Sequence, residues 1–317
     1  MIQCLHISKL MDNQANEARH GCNIISTGIK PLDRVIGGFQ LGEFVTIAGR
    51  PLMGKTELCL HLIHRWAVKD KIPVAVYDME DGDETFANQL LANFAKLPCH
   101  KLRLGTELSP EEKHRKEIAM KQLSDSPLYL NSTYMEGMVD TALTMENLSK
   151  SIREVVMRHG VKVIFVMGFQ YLDEGYSTNN IYRRQALALK NLARELNVII
   201  IASSFLNWCV DNREGMAGKF PQLSDLRYVG DLDEISDIVL GLFRPVIYNV
   251  SVDWQGNDIS NILYLSLLKT NVGVNGCVMD LEIDGDTMSI CCKDENCYSM
   301  KSWHDIPNKP KDKMVFE

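Results

Sequence analysis

"AGRPLMGKTELCLHLIHRWA", residues 48–67, is the stretch that decides the fold. It joins the end of an apolar strand-like run, "EFVTIAG" (43–49), to an amphipathic helix-like segment through Gly49, four residues, and then Gly54-Lys55-Thr56. Glycines at that spacing let the backbone curl until successive N–H groups point at phosphate oxygens. The lysine can then reach the β and γ phosphates, and the threonine hydroxyl can ligate magnesium. The helix that starts there adds the partial positive charge of its N-terminus. The loop predicts an ATP site built from Gly49, Arg50, Pro51, Leu52, Met53, Gly54, Lys55, Thr56 and Glu57, with Thr56 on Mg2+.

Outward from the loop, short apolar runs alternate with amphipathic stretches. "IPVAVYDME" (72–80), "VKVIFVM" (161–167) and "NVIIIAS" (197–203) are rich in Val and Ile and read as strands. Segments 55–69, 83–96, 111–124, 143–158 and 181–196 read as helices; in the last, Leu187, Leu189, Leu192 and Leu196 give an apolar face. Continuous apolar strands separated by helices imply a mostly parallel sheet covered on both faces. After residue 237 the pattern changes to strands without helices, "DIVLGLFR", "ILYLSLLK", "CVMDLEI" and "TMSICC", and Asp284-Gly285 reads as a hairpin turn. The expected class is α/β, with antiparallel strands at the C-terminal end. One core domain over 23–292 lies between a tail or linker helix at 1–22 and a Lys- and Asp-rich tail at 293–317.

The bulk numbers narrow the partners. A net charge of −7 on 317 residues, with no basic run, leaves nucleic-acid contact to local loops. No run of eighteen apolar residues exists, and the first twenty-one residues lack the pattern of a secretion signal. Nine irregularly spaced cysteines then read as reduced thiols of a cytoplasmic protein.

Two strand ends carry the remaining chemistry. "YDMEDG" places Glu80 at a carboxyl end beside the phosphate-loop strand, where a carboxylate can orient an attacking water. Position alone leaves open that Glu80 merely begins a solvated turn with Asp81, Asp83 and Glu84. "VIFVMGFQYL" (163–172) reads as a second buried strand, which ends in Met167 and Gly168 instead of an aspartate.

Taken together, "STGIKPLDRVIGGFQLGEFVTIAGRPLMGKT", "YDMED", "RQALALKNLARELNV", "SSFLN", "SDLR" followed by Gly230, and "LLKTNVG" resemble the RecA-like motor domain of DnaB-type replicative helicases, over roughly 23–292. The resemblance implies a RecA-like P-loop NTPase that works in DNA replication as a homo-oligomeric ring or with a helicase partner. It makes Lys55 and Thr56 the holders of phosphate and magnesium, Glu80 the catalytic base, and Gln170 the glutamine that senses nucleotide. Lys269 would reach the γ-phosphate across a subunit boundary. No counterpart of the family's separate N-terminal domain is seen, and 1–22 reads at most as a remnant of its linker helix.

The departures point to impaired hydrolysis. Met167 stands where the family has its magnesium-associated aspartate, Asn271 where it has the arginine finger, and Phe205 and Trp208 replace polar and basic residues. Asp173 and Glu174 lie six and seven residues past Met167, too far along to substitute for the missing acid unless a bent loop brings one back. An arginine finger alone is worth about 10³–10⁵ in rate, so binding is expected to outlast turnover. A non-catalytic nucleotide-binding module that regulates or recruits a true helicase is the alternative.

The resemblance also assigns single-stranded DNA to 207–227. There Arg213, Lys219 and Arg227 face Asp211, Glu214 and Asp225, a near cancellation that leaves both a modest grip and none open. Trp208 and Phe220 could stack on bases or pack under the loop. Cys291, Cys292, Cys297 and His304 have the wrong spacing for a tetrahedral zinc site.

Overall fold

The computed structural model describes residues 23–131, 144–172 and 179–292, apart from residues 228, 254 and 274, together with residue 7 and residues 301–302. Asp173, Glu174, Cys297, His304 and nearly all of the two tails lie outside the described residues.

The chain enters through a small ladder, β1 (Ile24–Ile25) against β2 (Phe39–Gln40), wrapped around α1 (Lys30–Ile36). Then come β3 (Phe44–Gly49), α2 (Lys55–Ile63) with a π-helical continuation to Lys69, and β4 (Val74–Asp78). Three helices follow, α3 (Asp83–Ala95), α4 (Cys99–Leu104) and α5 (Pro110–Ser124), and lead to β5 (Leu128–Asn131). The next units are α6 (Met145–His159) with β6 (Val163–Met167), and α7 (Asn179–Leu196) with β7 (Ile199–Phe205). Two one-turn helices, α8 (Gly215–Gly218) and α9 (Leu232–Ile235), precede β8 (Ile238–Phe243). The strands β9 (Ile262–Thr270), β10 (Cys277–Asp284), β11 (Ser289–Cys291) and β12 (Lys301–Ser302) complete the described elements.

Ten strands form one sheet in the order β11-β10-β9-β8-β3-β7-β6-β4-β5, with β12 on β10. From β8 to β5 every pairing is parallel, and from β8 to β11 every pairing is antiparallel. This is the expected arrangement. The central strands β3, β4 and β6 are buried along their whole length. One face packs its Val45, Ile47, Val76, Phe165 and Met167 against Leu58, Cys59 and Trp66 of α2 and its continuation. The other packs Phe44, Tyr77, Ile164 and Ile200 against Leu148 and Ile152 of α6 and Leu189 and Leu192 of α7. Each such aliphatic side chain contributes about 1.5–3 kcal/mol on leaving water, so helices on both faces are a requirement of these strands.

Four details differ from the sequence reading. β4 does not lie beside β3, because β7 and β6 run between them. The edge strand β5 and the short α4 have too few residues to show a period, and the sequence reading contains neither. The buried stripe of α7 is Ala186, Leu189, Leu192 and Ala193, while Leu187 is 40% exposed, since small alanines are what the close sheet contact admits. The β10–β11 hairpin is present, but its loop is Gly285–Met288: Asp284 Oδ1 accepts from the amides of Asp286 and Thr287, and Met288 takes the left-handed conformation. A side-chain cap has replaced the two-residue turn.

Candidate functional site

The phosphate loop leaves β3 at Gly49 and re-enters helix at Lys55. Leu52 (φ 65°) and Gly54 (φ 92°) both sit in the left-handed region, which curls the loop. Gly54 is also close-packed, since an added Cβ would meet Ile283 at 3.2 Å. Lys55 is 7% exposed; its Nζ donates to the Gly49 and Arg50 carbonyls at 3.3 Å and lies 4.4 Å above the Phe205 ring. Burial pulls the Lys55 pKa down, and the charge of Glu80 works against that. Arg50 reaches out of the loop: Nε and Nη2 donate to Asp211 Oδ2 at 3.0 and 2.6 Å, and Nη1 donates to the Leu206 carbonyl. On the far side, Arg244 donates through Nη1 to the Leu52 carbonyl at 3.2 Å. The backbone around the loop is thus fixed by two arginines, one of which the sequence reading does not single out.

Glu80 follows β4 and is brought toward Lys55 although two strands separate β4 from β3. Its Oε1 accepts from Ser203 Oγ at 3.1 Å, and Ser203 Oγ accepts the Gly168 amide at 2.7 Å. Withdrawal from water raises the Glu80 pKa, opposed by Lys55 and by the Ser203 hydroxyl. Gly168 has φ 71°, and a Cβ there would lie 2.5 Å from Glu80 Cγ. Glycine is required at that place because the carboxylate arm passes over it. Gln170, in a 3₁₀ turn after β6, donates from Nε2 to Ser204 Oγ at 2.8 Å, and its Oε1 is buried without a hydrogen-bond partner. The end of β7 therefore ties Glu80 and Gln170 together through adjacent serines, each pointing to its own face of the sheet. "SSFLN" contains these serines, but a linear pattern gives no pairing.

Asp78 is absent from the sequence-based site. It ends β4 in register with Met167 on β6, is 8% exposed, and accepts through Oδ1 from the amides of Glu80 and Asp81 at 3.0 and 3.4 Å. Its Oδ2 is buried without a hydrogen-bond partner. Burial pushes its pKa up to about 6.

Two other expectations meet a different local chemistry. Lys269 lies on β9 opposite Val239, which pairs with Thr46 three residues before the loop, so it belongs to the other end of the sheet. Its Nζ donates to the Asp233 and Glu234 carbonyls at 2.8 and 2.9 Å. Asn271 is exposed and donates to Asp237 at 3.3 Å. In 207–227 Arg213 is paired with buried Asp225, Lys219 donates to the Asp211 and Arg213 carbonyls, and Arg227 sits 3.5 Å from Asp233. Phe220 is packed 4.2 Å from Phe243, while Trp208 is 65% exposed. Among the described residues no group of three or more His, Cys, Asp or Glu is placed to hold a metal.

A parallel sheet whose central strand feeds a phosphate loop, followed by an acid-bearing strand beyond two inserted strands, defines the RecA-like class of P-loop folds. The profile of the DnaB-like helicase C terminal domain matches residues 24–278. This chain belongs to that family. It is 31% identical over 230 residues to a probable replicative DNA helicase of Trieres chinensis, covering 71% of this chain and 48% of that one. It is 29% identical over 259 residues to replicative DNA helicase DnaB of Geobacillus stearothermophilus, covering 80% and 53%. The chain spans about half the length of these relatives. Two solved structures share the fold at 23% identity. One is an isolated ATPase domain, with a TM-score of 0.79 and 92% and 100% coverage. The other is a DnaB-like replicative helicase described with its interactions with primase, with a TM-score of 0.75 and 92% and 67% coverage. No helix among the described residues is long and apolar enough to cross a membrane.

Proposed function

We propose that residues 23–292 form a motor-type unit that binds magnesium-ATP in the 49–57 loop and hydrolyses it slowly on its own. The observation that carries this reading is the convergence of Lys55, Glu80 and the Ser203 bridge on the mouth of an intact phosphate loop. In this reading the loop amides and Lys55 hold the phosphates, and Glu80, aimed by Ser203 and Gly168, accepts the proton of the attacking water. Gln170 reports the state of that site to β7 through Ser204. Magnesium, when bound with ATP, neutralises charge on the β and γ phosphates; the Thr56 hydroxyl is a fitting donor for a hard cation.

Turnover is slow in this reading because Asn271 brings no positive charge to a neighbouring site. Lys269, far from its own loop, is suited to serve a neighbour in a ring, with nucleotide at the subunit boundaries. Single-stranded DNA is the polymer the unit tracks, through 207–227, in cytoplasmic DNA replication. The uncharged Asn271 side chain, which donates to the Asp237 carboxylate, also favours a second reading, a nucleotide-gated module that regulates or recruits an active helicase.

The test is ATP binding and hydrolysis measured side by side, with and without single-stranded DNA, with Lys55→Ala as control. Lys55-dependent binding with little turnover is expected. Magnesium-dependent turnover near one per second or faster, typical of working enzymes, would overturn slow hydrolysis, and no Lys55-dependent binding would overturn the site itself.

A further inference from the structure

Met167, where the family resemblance implies an acid, has an acidic neighbour in space. Asp78 and Met167 are register partners across the parallel β4–β6 ladder, and the Met79 amide donates to the Met167 carbonyl at 3.1 Å just beyond them. Partners in a parallel ladder point to the same face. Val76, two residues before Asp78, and Phe165 and Met167 on β6 all pack in the cluster that contains Leu58 and Cys59 of α2. Asp78 therefore faces α2. Its charge acts on Cys59, which stands three residues after Thr56 and so on the same side of that helix.

The carboxylate is also half used. Oδ1 is held by two amides, which fixes the rotamer, while Oδ2 is buried and unpartnered. An unpaired buried carboxylate oxygen costs free energy in the folded state and calls for a compensating role, of which binding a cation is one. Met167 beside it offers only a thioether, which a hard cation does not choose.

We propose that Asp78 Oδ2 takes over, from the adjacent strand, the magnesium-associated role of the acid replaced by Met167, acting on the cation that Thr56 and the nucleotide phosphates hold. This rests on the phosphate loop binding magnesium-ATP, as proposed above. A shift of one strand suffices because neighbouring strands lie only about 4.7–4.9 Å apart, within the reach of a metal-bound water. The metal side of the site is then complete, and the lost arginine becomes the change that limits turnover.

The experiment uses the full chain with a non-hydrolysable ATP analogue and Mn2+ as the spectroscopic probe. Mn2+ retention by the protein–nucleotide complex is read by electron paramagnetic resonance, and nucleotide affinity is measured separately in EDTA. Asp78→Asn keeps shape and both amide contacts; it is expected to weaken Mn2+ retention at least tenfold while metal-free nucleotide affinity changes by less than threefold. Asp78→Asn combined with Met167→Asp returns the family's own arrangement and is expected to recover most of the loss, which a merely structural role of Asp78 would not allow. Unchanged Mn2+ retention in Asp78→Asn would overturn the proposal, as would a loss that Met167→Asp leaves unrepaired in a protein that melts as the parent does. Absence of nucleotide binding by the parent in EDTA and in metal alike would instead overturn the ATP site and this proposal with it.

Discussion

Arg50 in the phosphate loop grips Asp211 in the 207–227 segment through two nitrogens, at 3.0 and 2.6 Å. The same carboxylate accepts from Tyr248 at 2.7 Å, and Lys219 donates to the Asp211 carbonyl while lying 5.0 Å over the Tyr248 ring. One residue of the loop proposed to hold nucleotide is thereby wired to the segment proposed to meet DNA.

Asp211→Asn should loosen that wire at modest cost. The pair is part-exposed, so the global stability loss is about 1 kcal/mol or less. Amide exchange in 207–219 should nevertheless accelerate, and the protection that an ATP analogue adds there in the parent should vanish. Equal nucleotide-induced protection in parent and variant would show that the contact transmits nothing.

Gly168 and Glu80 form a steric pair. Gly168→Ala forces a Cβ onto the Glu80 arm and holds a non-glycine residue at positive φ, a destabilisation of about 1–2 kcal/mol. Glu80→Gln keeps the shape and removes the proposed base, so residual turnover should fall by about 10²–10⁴ with nucleotide affinity nearly unchanged. Hydrolysis that survives Glu80→Gln at the parent's rate would assign the base elsewhere.

Acid should weaken the protein through two partly buried histidines. Burial holds His61 and His64 at about 4, below their ordinary 6.5; His61 Nδ1 lies 3.2 Å from the Ile290 carbonyl, and His64 stacks 4.3 Å from Phe94. A base whose folded pKa is depressed stabilises above its unfolded pKa, and that stability is lost as pH falls from 6.5 toward 4, by at most about 3 kcal/mol per ring. Asp78, raised to about 6, works in the opposite sense over part of the same window. The difference between variants therefore reads the histidines: in urea unfolding, His64→Phe should lose less stability than the parent between neutral pH and about pH 4.5. Parallel profiles for the two would remove His64 as a source.

The 207–227 segment should hold single-stranded DNA weakly and with little salt dependence. Arg213, Lys219 and Arg227 each already have a partner within the chain. A log–log salt slope of magnitude below about 2 is expected, against about 0.7 per phosphate contacted on single strands. Exposed Trp208 then supplies most of the residual grip, and Trp208→Ala should cost about 1–3 kcal/mol if one base stacks there. A steep salt slope by fluorescence anisotropy would locate the DNA site elsewhere on the molecule.

The phosphate-loop motif, a mostly parallel sheet and antiparallel strands at the C-terminal end were legible in the sequence, but not that β7 and β8 are the strands that flank β3. Each legible feature is local: glycine spacing, apolar period and turn residues act within a dozen positions, and Gly49, Gly54, Lys55 and Thr56 form a phosphate-loop motif whatever surrounds them. Met167 was likewise legible as a gap. What filled the space beside it was not, because Asp78 and Met167 are neighbours only through the order in which β4 and β6 enter the sheet, and one linear pattern fits several orders. The Ser203 bridge, the Arg50–Asp211 contact and the internal pairing of the 207–227 cations depend in the same way on strand order and loop closure. Sequence determined which side chains each strand end and loop presents; the burial of β3, β4, β6 and β7 in one sheet decided which of them meet.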